Sequence, residues 1–163
     1  MYKSLFLILL SCILFISFPA RTLCSAAESL DNGTHIITET HYLDDGSYLV
    51  ISTTIGIPTE VTRDMYTISS SRTYNYHNSD GSDAWDVTLY GTFLYNGINS
   101  SCIASSASYN IYSSYWSKTD LLTKRMGNTA IAEFTFEKSI LGIITNTVSD
   151  SITLSCSPAG VIY

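Results

Sequence analysis

The most informative chemical groups in this 163-residue chain are two cysteines, Cys102 and Cys156. The other two, Cys12 and Cys24, fall in a hydrophobic amino-terminal segment. Two thiols in one exported domain usually form a single bond, and closing a loop of this length stabilises a fold by about 4 kcal/mol in the chain-entropy model. No residue beside either cysteine would lower a thiol pKa, as a reactive thiol requires. The sequence therefore predicts a Cys102–Cys156 disulfide rather than a reactive pair.

A cluster of aromatic residues offers a second kind of chemistry. Tyr112, Tyr115 and Trp116 follow one another closely, where the strand pattern becomes irregular. Exposed rings stack on sugar faces or anchor a protein partner. These three residues are therefore a candidate ligand platform, although coverage of one end of the core is the favoured interpretation.

Two polar groupings resemble metal sites only weakly. Asp80, Asp83 and Asp86 provide hard oxygen atoms of the type that calcium binds, but their spacing does not match an EF-hand loop and aspartate is common in turns. The sequence favours a plain polar turn there. His35, Glu39 and His41 share one face of a predicted strand, without a third close ligand in view, which favours a solvated strand over a zinc site. We predict no cofactor and no metal.

Catalytic arrangements are not apparent in the chain. Serine and aspartate are abundant and there are three histidines, but no G-x-S-x-G elbow occurs and no catalytic residue is predicted. A non-catalytic binding role is the first expectation, and a secreted hydrolase remains an alternative.

The first 27 residues have the three parts of an export signal. Lys3 provides the positive start, Leu5–Phe18 is uninterrupted and apolar, and Pro19 and Arg21 lead to small residues ending at Ala27. The apolar part is shorter than the about 20 residues of a membrane span, so an uncleaved anchor is the less favoured alternative. We predict a signal peptide over 1–27, cleavage near Ala27, a single domain over 28–163, and secretion.

The charge balance restricts the partners of the predicted mature chain. It retains six basic and all fourteen acidic residues, a net charge near −8. Nucleic-acid binding requires clustered Lys and Arg, and anionic membranes also repel such a chain. We expect no nucleic-acid partner and no membrane association after cleavage.

Short alternating segments separated by Gly, Asn and Asp predict an all-β domain of about eight strands without helices. Gly46 marks a hairpin turn, and Gly91 interrupts an apolar face that begins at Trp85, which indicates a bulge or a close backbone approach. Asn146 and Asp150 interrupt the apolar face of the last strand, which predicts partial exposure or a shifted register. The pattern favours an antiparallel, immunoglobulin-like β-sandwich over a closed barrel.

The region from about 72 to 156 resembles a group of short exported proteins of Gram-positive, often gut, bacteria. The residues that carry the likeness are WDVTLYGTFLYNG over 85–97 with Cys102 after it, YNIYSSYW over 109–116, and LGIITNTVSDSITLSC over 141–156. The resemblance implies an exported β-rich domain and no particular activity. A glycan or an extracellular or envelope protein is the expected partner, with no expectation for the oligomeric state.

Overall fold

The computed structural model describes residues 25–31 and 33–163, with side chains from 33 onward. Residues 1–24 of the predicted signal peptide lie outside the described residues, and Ser25–Ala27 begin the first strand. The described residues form ten strands: β1 (Ser25–Asp31), β2 (Thr34–Tyr42), β3 (Tyr48–Ile55), β4 (Thr59–Thr62), β5 (Met65–His77), β6 (Asp83–Tyr95), β7 (Ser100–Ile111), β8 (Trp116–Met126), β9 (Thr129–Ile140) and β10 (Ile143–Ser155). No helix in the described part of the chain is long and apolar enough to cross a membrane.

The strands form two antiparallel sheets of unequal size. The larger sheet has the order β1-β2-β3-β5-β6-β7, with β4 also paired to β5, and the smaller has the order β10-β9-β8. The predicted antiparallel sandwich is confirmed, and the sheets do not close into a barrel. Apart from β4, which pairs with β5 and not with β3, consecutive strands within each sheet are neighbours. The topology is therefore largely a meander, and the chain passes from one sheet to the other between β7 and β8.

The core lies between β5–β7 of the larger sheet and the whole smaller sheet. Trp85 is fully buried and stacks on Phe136 at 4.3 Å between ring centroids and on Tyr76 at 5.0 Å. Phe134 meets Trp85 edge to face at 5.6 Å. These residues alternate along their strands with polar ones, as a half-buried sheet requires. Burying such large rings contributes most of the hydrophobic stabilisation of the domain.

Two glycines have the structural roles that the sequence indicated. Gly46 has φ +81° in the turn between β2 and β3. Gly91 is buried, and a β-carbon there would approach the Phe93 ring at 2.7 Å. A bulge shifts the β6–β7 register between Thr92 and Phe93. The predicted interruption at Gly91 is therefore a close approach next to a bulge.

The last strands correct and refine the predicted pattern. The pattern was expected to become irregular at Trp116, but this residue begins the regular strand β8, which pairs with β9 along almost its full length. In β10, Ile152 and Leu154 are fully buried, Asp150 is exposed, and the register shifts between Ile144 and Asn146. Both expectations for this strand are confirmed.

Candidate functional site

The larger sheet extends beyond the smaller one, and this leaves part of its inner face uncovered. The smaller sheet packs against β5, β6 and β7, whereas β2 and β3 continue the same face outward. The resulting groove has a volume of about 370 Å³, within the usual range for small-ligand sites. We call it the open groove; it is lined by Ile37, Glu39, His41, Ile51, Thr53, Arg72 and Tyr74.

Strand register brings the lining side chains together. Ile37 pairs with Thr53, and Thr53 with Arg72, so these three form one row across β2, β3 and β5. Glu39, Ile51 and Tyr74 form the adjacent row in the same way. Alternate residues of a strand point to one face, so both rows face the groove.

Arg72 lies where the covered and uncovered parts of the face meet. Its Nε donates to Thr53 Oγ1 at 2.8 Å, and its Nη1 donates to the carbonyl oxygen of Thr153 in β10 at 2.7 Å. The second contact satisfies a carbonyl on the free edge of the smaller sheet. Because a guanidinium carries five N–H donors, donors remain for a ligand.

Tyr74 provides the aromatic surface of the groove. Its ring is half-buried and lies edge-on to Phe134 at 6.3 Å between ring centroids. Burial raises the pKa of its hydroxyl, and the carboxylates of Asp150 and Glu39 raise it further against the opposing effect of Arg72. The tyrosine therefore stays neutral and able to donate a hydrogen bond well above neutral pH.

Glu39 and His41 form a polar pair at the outer side of the groove. His41 Nε2 and Glu39 Oε2 are 3.4 Å apart, and both side chains remain partly exposed. No three His, Cys, Asp or Glu side chains of the described chain lie together as a metal site. The open groove combines hydrogen-bonding groups of both charges, one ring and an aliphatic floor.

The predicted aromatic platform is not formed. Tyr112 and Tyr115 are 55% and 57% exposed, but Trp116 is only 4% exposed and packs edge-on to Trp85 and Tyr76. Trp116 opens β8 as an inward-facing residue, so its ring belongs to the core. The favoured interpretation, coverage of one end of the core, is confirmed for Trp116.

The three aspartates of the weak metal candidate have separate partners. Asp80 accepts hydrogen bonds from the backbone and hydroxyl of Ser82, which lowers its pKa. Asp83 Oδ1 lies 2.9 Å from His77 Nδ1. Asp86 is buried on the outer face of the larger sheet and accepts from Asn110 Nδ2 at 3.1 Å and from the Tyr112 hydroxyl. These contacts account for each carboxylate as a local structural group.

The predicted disulfide bond is also not formed. Cys102 and Cys156 are buried free thiols, and their sulfur atoms are not at bonding distance. Their backbone amides donate to successive carbonyls, Gly127 at 2.8 Å and Asn128 at 3.1 Å, so the two residues lie beside one turn. Each sulfur, however, contacts a carbonyl oxygen of its own segment at 3.3 Å. Burial raises the pKa of both thiols, which makes them unreactive.

The amino-acid sequence indicates part of the open groove but not its centre. The shared face of Glu39 and His41 was visible in the alternation of β2. Arg72 and Tyr74 also alternate in β5, but nothing local indicates that β10 ends beside them. One indication in the sequence is that Arg72, a basic residue, falls at an inward-facing position of β5. Because an unpaired buried charge is costly, such a residue needs a partner.

Comparison with known proteins finds no similarity: no family model matches the chain, nor does any curated sequence or solved structure.

Proposed function

We propose that the chain is an exported, non-catalytic binding protein and that the open groove is its ligand site. The amino-terminal apolar segment Leu5–Phe18 and the small residues before Glu28 support export. Cleavage after Ala27 would leave Glu28–Asp31 of β1, which pair with Thr34–Ile37. The likeness to exported Gram-positive proteins supports the same compartment and an extracellular or envelope setting.

One observation carries the ligand assignment: the uncovered face presents a half-buried ring beside fixed hydrogen-bonding groups of both charges. The ring is that of Tyr74, and the polar groups are Arg72, Glu39 and His41. Asp150 lies near Tyr74, so the groove and its border have at least as many negative groups as positive ones. This charge disfavours anionic ligands. A neutral, hydroxyl-rich ligand suits this surface, since sugar hydroxyls both donate and accept and a sugar face stacks on a ring. We propose a glycan.

Binding fits the groove better than catalysis. Its lining contains no serine or cysteine. The one aliphatic hydroxyl of the lining belongs to Thr53 and accepts a hydrogen bond from Arg72. A nucleophile needs a base within hydrogen-bonding distance, and the only pair of that kind in the lining, Glu39 with His41, is partly exposed at 3.4 Å.

The test is a glycan array probed with the processed chain collected from the medium of a Gram-positive host, followed by calorimetry on any bound sugar. We expect Arg72→Met and Glu39→Gln each to weaken binding at least tenfold, because each removes a charged hydrogen-bonding group. Mass spectrometry of the secreted chain tests cleavage near Ala27 separately.

Two matched variants control the assignment. Glu60→Gln removes the same charge from the exposed strand β4, and Tyr90→Ala removes an exposed ring from the opposite face of the larger sheet. Neither should alter binding. Absence of binding to every glycan overturns the ligand class, and equal binding by Arg72→Met and the unmodified chain overturns the site.

A further inference from the structure

The hairpin between β9 and β10 ends in an exposed apolar tip. The tip consists of Ile140, Leu141, Gly142, Ile143 and Ile144. Leu141 is 98% exposed, Ile143 69% and Ile144 57%. Single exposed aliphatic residues are common on protein surfaces, but adjoining ones at a protruding turn are typical of an interaction site.

The backbone conformation of this turn makes an apolar residue at position 141 more unusual. Ile140 pairs with Ile143, so Leu141 and Gly142 form a two-residue turn in which both have positive φ, +52° and +79°. Such turns favour Asn-Gly, and a leucine in the left-handed region is strained. The only other described residue with positive φ, apart from glycines, is Asp64, a type that tolerates it. Folding thus favours a polar residue at position 141, and the leucine calls for another explanation.

The residues around the tip are typical of a protein segment that lies at a membrane interface. Residues 139–149 carry no charge. At the base of the hairpin, Ser139 donates its amide to the carbonyl of Tyr115, whose exposed side chain is amphipathic. Lys138 lies at the same base, and Asp80 lines a shallow pocket with it, Tyr115 and Ile140. Lys138 interacts electrostatically with both Asp45 and Asp80, so negative groups outnumber the positive one there.

We propose that this tip inserts into the surface of a neutral lipid bilayer. A convex, uncharged hairpin end fits a soft apolar phase, and tyrosine is enriched where such a phase meets water. The local excess of negative groups and the negative net charge of the chain disfavour anionic lipids. The proposal revises the expectation that the mature chain avoids membranes, and it does not depend on the open groove.

The test is flotation of the chain with phosphatidylcholine vesicles, comparing the unmodified protein with Leu141→Asn and with Leu122→Asn. Leu141→Asn removes the most exposed apolar side chain and supplies a residue that the turn favours, so the thermal midpoint should stay equal or rise. We expect its partition coefficient to fall at least tenfold. Leu122 is 54% exposed on β8, away from the tip, and its variant should bind as the unmodified chain does.

All three proteins are collected from the medium as the processed chain, because a retained apolar segment Leu5–Phe18 would itself bind vesicles and mask the effect of Leu141. Salt at about 0.5 M screens most interactions between surface charges. Binding that persists at this salt concentration therefore supports apolar insertion. No flotation of the unmodified chain overturns the proposal, as does equal flotation of Leu141→Asn. A concentration-dependent dimer without vesicles that Leu141→Asn abolishes would also overturn it, because a second copy would then cover the tip.

Discussion

The inner face of the larger sheet has two halves that follow the same alternation and have different surroundings. Over β5–β7 the smaller sheet covers it, and the inward residues Trp85, Val87 and Leu89 are fully buried. Over β2 and β3 the face is uncovered, and the equivalent positions include His35, Glu39 and His41. The covered half stabilises the domain, and the uncovered half presents polar side chains beside aliphatic ones.

The difference shows that unequal sheets make a groove without a specialised loop. A three-stranded sheet cannot cover a larger partner, and the remaining strands need a surface that tolerates water. Mixed composition on β2 and β3 meets that need and also provides ligand-binding groups. Arg72 lies at the border and links the two sheets through Thr153.

The largest expected contrast between the halves is in stability. Phe136→Ala removes a fully buried ring stacked on Trp85 and should lower the free energy of unfolding by about 3–5 kcal/mol. Ile51→Ala in the uncovered half should cost about 1 kcal/mol, because water already reaches that side chain. Urea denaturation measures both, and Phe136→Leu gives an intermediate value if the alanine variant does not fold. Equal losses at the two positions would contradict the distinction.

A smaller effect is expected at the border between the halves. Arg72→Met keeps the aliphatic part of the side chain and removes both hydrogen bonds, so it should lower the free energy of unfolding by about 1–2 kcal/mol. Lys124→Met, which breaks the partly exposed pair with Glu133, should cost at most about 1 kcal/mol. If the lysine variant loses more in urea denaturation, Arg72 does not join the sheets as described.

The most gradual effect is expected from alkaline pH and originates mainly in the covered half. Burial raises the pKa of Cys102 and Cys156 above 9.0 and that of Tyr76 above 10.0. Unfolding therefore releases protons between the unfolded and folded pKa values, so stability is complete below about pH 9 and falls above it, by at most about 1.4 kcal/mol per pH unit for each group.

Thermal unfolding between pH 7 and 10.5 measures this decline. The double variant Cys102→Ala with Cys156→Ala should remove the part that begins near pH 9 and leave the part that begins near pH 10. A decline that begins near neutral pH in the unmodified chain would contradict the assignment to these buried groups.

Much of the fold could be predicted from local patterns. Alternation placed Trp85 inward, glycine marked the turn at Gly46, and Asp150 indicated where β10 leaves the core. The pattern failed at Trp116, because a ring near a turn fits a loop or the first residue of a strand equally well. It failed at Cys102 and Cys156 because residue type and compartment predict a bond, whereas the distance between sulfur atoms depends on how two sheets pack.

By itself the sequence determined the strand class, the antiparallel layering and the polar character of β2, since side-chain alternation is a property of the strand alone. Only the tertiary structure decided that the smaller sheet stops at β5, that Arg72 bonds to its edge, and that Leu141 is almost fully exposed at a hairpin tip. The physical reason is that coverage is a relation between strands distant in the chain. An inward-facing residue is buried only where a second sheet lies opposite it.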